Sequence, residues 1–202
     1  MSGQNKVSGV VLAGGMARRM QEQDKGLLLC NNRPLVSYAL AAMTPLVDEL
    51  LISANRNQDL YQQFNYRVIS DAEPSFDGPL AGILAAMQAA QHPTLLIAPC
   101  DSPLVATIHL QRLLDTLLAQ DAEIAVAFDG ERLHPVFAAL RTELQLDLQN
   151  YLCSGERKLQ SWFHRHLLVE VDFSDTPHIF ANINTPAELA DLEHSLTDPP
   201  QG

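Results

Sequence analysis

Cysteine is scarce in this sequence, which holds only Cys30, Cys100 and Cys153. They are odd in number, widely spaced and form no Cys-x-x-Cys pair, which argues against a disulfide framework or a zinc knuckle and makes a reducing compartment their natural home. Long apolar runs are missing too, and no stretch approaches the length of a membrane span. The first residues, Met1-Ser2-Gly3-Gln4-Asn5-Lys6, pass straight into a short apolar segment without the h-region and cleavage site of a signal peptide. The expectation is a cytoplasmic protein with no membrane partner. Basic charge is also in short supply, with 13 Lys and Arg against 24 Asp and Glu and a net charge of −11. Nucleic acid as a main partner needs clustered Lys and Arg over a broad face and is disfavoured. Any anionic ligand must therefore be held by a local arrangement. The seven histidines show no metal-ligand spacing such as His-x-x-x-His. His164 and His166 would lie on different faces of a helix.

What the chain does have is a core and an alternation. Its 202 residues are 47% hydrophobic and can bury a core without a staple. Strand-like runs at Val7–Leu12, Glu49–Ser53, Tyr66–Ser70 and Thr94–Pro99 alternate with helical patterns at Pro34–Met43, Gln58–Phe64 and Gly82–Gln91, with Pro34 suited to a first helical turn. Further on, Ile108–Ala119, Thr142–Leu152 and Pro186–Leu196 read as helices. Glu123–Phe128, His134–Leu140 and Leu167–Phe173 read as strands, the first two joined by the hairpin signal Asp129-Gly130. This order predicts a three-layer, Rossmann-like α/β fold with a mostly parallel, mixed central sheet. Residues 1–196 are expected to form one domain and residues 197–202 a frayed tail.

Ligands of such sheets collect at the carboxyl ends of the strands, and three polar signals converge there. The first is the loop Leu12-Ala13-Gly14-Gly15, followed by Arg18, Arg19 and Asp24-Lys25-Gly26. Paired glycines let several backbone N–H groups turn toward an anion, and Arg18, Arg19 and Lys25 can supply charge to a triphosphate. Glu22 and Asp24 leave the loop only slightly cationic, so geometry has to do the selecting. The second is Pro99-Cys100-Asp101-Ser102-Pro103, whose carboxylate follows an apolar strand and could ligate Mg²⁺, although a turn or cap Asp gives the same pattern. Cys100 reads as a small buried residue rather than a nucleophile, since no base is evident. The third is Asp71, ahead of Asp77-Gly78-Pro79-Leu80-Ala81-Gly82, where Gly78 and Gly82 permit either close approach of a flat ligand or tight packing onto the sheet. His134-Pro135 fits a structural histidine, Arg157-Lys158 a helix cap or an anion site, and Asn184 or Thr185 a helix cap.

Taken in order, Val11–Gly15, Arg18–Met20, Asp24–Leu27, Arg33–Leu35, Ala54–Arg56, Gly78–Gly82, Pro99–Pro103, His134-Pro135, Gly155–Arg157 and Asn182–Pro186 resemble the molybdenum cofactor guanylyltransferase family. The resemblance implies a nucleotidyltransferase fold, GTP and molybdenum–molybdopterin as substrates, and Mg²⁺. Attack of the pterin's phosphate on the α-phosphorus of GTP would expel pyrophosphate. It implies that Leu12, Ala13 and Gly14 contact GTP, that Lys25 binds its phosphates with Gly15 and Arg19 assisting, and that Asp71, Gly78 and Leu80 lie on the nucleoside side. Asp101 would ligate the metal, and Lys158, Asn182 and Asn184 would lie toward the pterin. Transient contact with other cofactor-biosynthesis or molybdoenzyme-maturation proteins is implied as well. Two positions depart from the family's pattern: Gln21 stands where it often has Gly, and Ser53 where it often has Asn, a shorter group for the nucleotide contact. Neighbouring readings are a cytidylyltransferase for the same pterin, a sugar-1-phosphate nucleotidyltransferase, and a GTP-binding module without chemistry.

Overall fold

The computed structural model describes residues 6–13, 16–17, 23–71, 78–183 and 185–197. The first third holds strand β1 (Val7–Leu12), the paired two-residue strands β2 (Met16–Ala17) and β3 (Gln23–Asp24), the hairpin of β4 (Leu29–Cys30) and β5 (Arg33–Pro34), helix α1 (Leu35–Met43) and strand β6 (Glu49–Ser53). Then follow α2 (Gln58–Gln62), β7 (Arg67–Ile69), α3 (Pro79–Ala89), β8 (Thr94–Pro99), α4 (Thr107–Ala119), β9 (Ile124–Phe128) and β10 (Leu133–Arg141). The chain continues through α5 (Gln145–Cys153), α6 (Leu159–Phe163), β11 (Leu168–Asp172) and α7 (Pro186–Thr197).

Among the described residues, seven strands form the main sheet in the order β11-β9-β10-β8-β1-β6-β7. Only β10 runs antiparallel to its neighbours; the β1–β6, β1–β8, β6–β7 and β9–β11 pairs are parallel. Alternate residues of one strand feed opposite layers. Val7 and Val11 face a cluster with Val36, Leu40 and Met43 of α1 and Leu110, Leu113 and Leu117 of α4. Val10, Leu95 and Ile97 face a second cluster with Leu80, Ile83 and Met87 of α3, Leu148 of α5 and Trp162 of α6. Burial on both faces is why β1 and β8 read as near-continuous apolar runs. A third, smaller cluster joins Cys30 and Leu35 to Ile183 and Leu192, pinning α7 to the β4–β5 hairpin.

The expected elements are present, with four revisions. Pro34 is not in the first turn of α1; its backbone is extended (ψ 137°), pairing with Leu29 in the hairpin at the N-cap position just ahead of the helix. Helix α3 starts at Pro79, ahead of Gly82, because Gly78 at φ +85° turns the chain and Pro79 supplies a preset φ. The stretch Thr142–Leu152 divides into a 3-10 turn at Thr142–Leu144 and α5. Helix α6, with Lys158 at its N-cap position, lies where the sequence pattern predicts no element. Thr185 caps α7: its Oγ1 accepts from Glu188 N at 3.2 Å, and Glu188 Oε2 accepts from Thr185 N at 2.9 Å. That helix continues through Thr197, the first residue expected in the tail.

Candidate active site

The crossover after β1 uses α1 on one face of the sheet, and the crossover into β8 uses α3 on the other. β1 therefore lies between β6 and β8, and the order reverses beside it. Such a switch point, outside the carboxyl ends of β1 and β8, is where open α/β sheets bind their ligands. Backbone bonds carry the ladder just past the strands: Ala13 N donates to Ser53 O at 2.8 Å, Cys100 N to Leu12 O at 3.1 Å and Ala54 N to Ile69 O at 2.9 Å. The residues that follow are thus launched from fixed points onto one edge.

Lys25 and Asp101, 76 residues apart, meet on that edge. Nζ lies 3.0 Å from Oδ2, and each side chain is only 14% exposed. Lys25 opens a one-turn 3-10 helix whose cap is Asp24: Gly26 N donates to Asp24 Oδ1 at 3.2 Å. Asp24 also accepts from Tyr61 Oη and from Asn57 Nδ2 at 3.1 Å. Asp24 is therefore spent on fixing the turn rather than acting as a loose charge that dilutes the loop. A Cβ on Gly26 would run into the Tyr61 hydroxyl and lie 3.3 Å from Cys100 Sγ, so glycine is what lets these parts close. Burial pushes the Tyr61 phenol far up, and burial, with Asp101 beside it, pushes the Cys100 thiol far up, leaving both as neutral packing groups.

A second group forms beside it at the ends of β1, β6 and β7. Asn55 Nδ2 donates to Asp71 Oδ2 at 2.6 Å and Asn55 Oδ1 accepts from Asp71 N at 2.9 Å, a reciprocal pair across the strand ends. Partial burial raises the Asp71 carboxyl above its usual range, opposed by that Asn55 bond. Gly82 seats α3 on these residues: an added Cβ would stand 2.7 Å from Ser53 Oγ, 3.3 Å from Leu12 Cδ2 and 3.7 Å from Asp71 Oδ1. Of the two roles open to Gly82, the structure gives tight packing. Gly82→Ala is expected to cost roughly 1–3 kcal/mol, as small-to-large changes in tight sites do, and a melting curve unchanged from wild type would show that Ser53 yields without strain.

Ser53 is 4% exposed with its Oγ under α3, and Ala13 is 2% exposed. Leu80 of α3, expected on the nucleoside side, is fully buried in the core. Gly14, Gly15, Arg18, Arg19 and Asn184 lie outside the described residues. Asn182 reaches the Asp101 turn: Ser102 Oγ donates to Asn182 Oδ1 at 2.6 Å, and Ile183 N donates to Asp101 O at 3.0 Å. Lys158 takes the N-cap position of α6, its carbonyl accepting from Tyr151 Oη at 3.0 Å. Asp24, Asn55, Tyr61 and Ser102 had no role assigned from sequence. Asp24-Lys25-Gly26 carried a readable signal, an Asp two residues before a turn glycine; the partnership with Tyr61, 37 residues away, carried none.

Asp101 offers a metal one carboxylate at a strand end. Among the described residues its Oδ1 takes no hydrogen bond, and no group of three or more His, Cys, Asp or Glu could hold a metal ion. A lone hard oxygen donor suits an ion that fills most of its shell with water and phosphate oxygens, which is the habit of Mg²⁺.

Residues 9–171 match the family model described as a MobA-like NTP transferase domain. A curated protein named molybdenum cofactor guanylyltransferase from Shewanella halifaxensis is 44% identical over 193 residues, spanning 96% of both chains. One of the same name from Shewanella loihica is 44% identical over 95% of this chain and 97% of its own. The crystal structure of molybdopterin-guanine dinucleotide biosynthesis protein A from Archaeoglobus fulgidus superposes with a TM-score of 0.80 at 21% identity, covering 94% of this chain and 98% of that one, and shows the shared fold. No helix among the described residues is long and apolar enough to cross a membrane. On this match across nearly its whole length, the chain belongs to the molybdenum cofactor guanylyltransferase family of MobA-like nucleotidyltransferases.

Proposed function

We propose that this chain transfers GMP from GTP to the phosphate of molybdenum–molybdopterin, releasing pyrophosphate and forming the guanine dinucleotide cofactor. Beyond family membership, the observation that carries the reading is the meeting of Lys25 and Asp101 at the switch point of the sheet. A cation for a triphosphate and a carboxylate for a metal stand side by side there. In this reading residues 1–196 act as one domain, and the buried, unpaired Cys30 and Cys100 suit a reducing, cytoplasmic setting.

Leu12, Ala13, Ser53, Asp71 and Gly78 line the nucleoside side, with Leu80 packed in the core behind them. Gly14, Gly15 and Lys25 grip the triphosphate, and Arg19 adds charge. Lys25 has a flexible stem that could carry its ammonium from Asp101 to a phosphate oxygen, and Asp101 would be the residue to hold Mg²⁺. The ion, when bound, would offset charge on the α-phosphate and on the departing pyrophosphate. Lys158, Asn182 and Asn184 face the pterin. Its attacking phosphate is already anionic near neutral pH, so no general base is required. That agrees with the neutral, buried Cys100 beside the site. Catalysis then consists of holding two polyanions in line and balancing their charge.

The nucleotide preference tests this. With molybdenum–molybdopterin and Mg²⁺, pyrophosphate release is expected to be faster with GTP than with CTP, ATP or UTP by about a hundredfold or more, because a site matched to guanine's hydrogen-bonding edge leaves its polar groups unpaired with another base. Equal rates with CTP and GTP would sink the guanylyl assignment. Binding of GTP without pyrophosphate release would make the chain a binding module.

A further inference from the structure

The His134-Pro135 pair stands at the far end of the β9–β10 hairpin from the sequence positions of the proposed catalytic residues, yet the fold ties it to them. The hairpin turn is built on Asp129. Its Oδ1 accepts from Glu131 N at 2.9 Å and Arg132 N at 2.8 Å, with Gly130 at φ +96° completing the turn. His134 Nε2 lies 2.6 Å from Asp129 Oδ2, with both side chains close to nine-tenths buried. The hydrogen bond from His134, then those from the Arg132 and Glu131 N–H groups, hold the Asp129 carboxyl well below the usual carboxylate range. It is therefore a steady acceptor for the imidazole N–H.

Just past His134 the β9–β10 register shifts, between His134 and Ala138. Pro135 lies in this stretch and can donate no ladder bond, and a bulge of this kind re-aims the side chain beside it. The imidazole stacks on Phe180, centroids 4.1 Å apart and planes 16° from parallel. Phe180 is held edge-on by Phe137 at 5.0 Å and Phe173 at 5.5 Å. Phe180 ends a 3-10 turn (Pro177–Phe180), after which the chain extends through Ala181. Two and three residues past Phe180, Asn182 and Ile183 make their bonds to Ser102 and Asp101.

We propose that His134 is a positioning residue for the pterin half of the reaction: stacked on Phe180 and bonded to Asp129, it holds the Ala181–Ile183 segment, and Asn182 with it, against the Asp101–Ser102 turn. This rests on the transfer reading above, in which Asn182 faces the pterin. Two contacts are needed from one side chain. A phenylalanine could stack but not bond Asp129, and a glutamine could bond but not stack. The nucleoside side, built on β1, β6 and β7 by Asn55–Asp71 and Gly82, shares none of these contacts. Loss of His134 therefore weighs more on the pterin than on GTP, which this segment reaches through the Ile183 N–Asp101 O bond.

The test compares His134→Ala, His134→Phe and His134→Gln with the wild type, measuring the Kd of molybdopterin and of GTP by titration calorimetry, both KM values and a melting curve. His134→Ala is expected to raise the pterin Kd and KM by about 10- to 100-fold, the range that a displacement near 1 Å can produce, and the GTP values by a clearly smaller factor; Phe and Gln should each recover part of the loss. An unchanged pterin Kd, or equal weakening of both substrates, overturns the inference, since a merely structural histidine would do the latter. Should His134→Ala fail to fold, the Phe and Gln variants carry the same comparison, with the same two results overturning it. A wild type that binds molybdopterin but transfers nothing would sink the transfer reading, while the binding constants would still decide the role of His134.

Discussion

Asp101→Asn is expected to fold, to keep much of its affinity for GTP, and to lose nearly all turnover. The asparagine keeps the shape of the side chain and an oxygen that can accept from Lys25 Nζ, now 3.0 Å from Asp101 Oδ2. The backbone bond from Ile183 N to Asp101 O survives as well. A residue serving only as a turn or cap would then show a stability change of about 1 kcal/mol or less and normal rates. A metal ligand behaves otherwise, because the lost charge weakens the hold on a hard cation at the step where charge builds on the phosphates. Loss of one such electrostatic element costs roughly 10²–10³ in rate. Turnover against Mg²⁺ concentration, alongside a melting curve, separates the two. Near-normal turnover at ordinary Mg²⁺ would remove Asp101 from the catalytic residues.

Lys25→Ala is expected to weaken GTP binding and turnover by about 10- to 100-fold, the worth of a hydrogen bond to a charged group. Its effect on stability differs from what the sequence alone suggests. A lysine among Gly, Arg and Asp reads as an exposed loop residue whose removal is neutral, but its side chain is 14% exposed and paired with an equally covered carboxylate. Stripping Asp101 of that partner should cost about 1–3 kcal/mol, or several degrees of Tm in a chain of 202 residues. Restoration of part of that loss by Asp101→Asn in the same chain would confirm that the pair is the source. A variant that melts much lower yet turns over normally would make Lys25 a structural residue.

The strands and their edge were legible because burial on both faces leaves unbroken apolar runs, as in Val7–Leu12 and Thr94–Pro99, which fix both the elements and the side on which Asp101 must emerge. Helix α6 was not legible: Leu159–Phe163 is a short turn of helix that owes its helicity to burying Leu159, Trp162 and Phe163, a tertiary cause. The β2–β3 and β4–β5 pairs escaped because their strands are too short for a period to show, and with them the displacement of Pro34 from α1. Within the site, single residues such as Asp101 could be picked out by their place after a strand. The partnerships could not. Tyr61 with Asp24, Asn55 with Asp71 and Ser102 with Asn182 join residues that only the tertiary fold brings together, 37, 16 and 80 positions apart.

The central claim is that the α-phosphate of GTP ends on the pterin, and radiolabel follows it directly. GTP labelled at the α-phosphorus, incubated with the protein, Mg²⁺ and molybdenum–molybdopterin, should yield label in a guanine–pterin dinucleotide, while γ-label from a parallel reaction appears wholly in pyrophosphate. α-Label that stays in GTP, or that passes to GDP while γ-label is released as inorganic phosphate, would contradict guanylyl transfer.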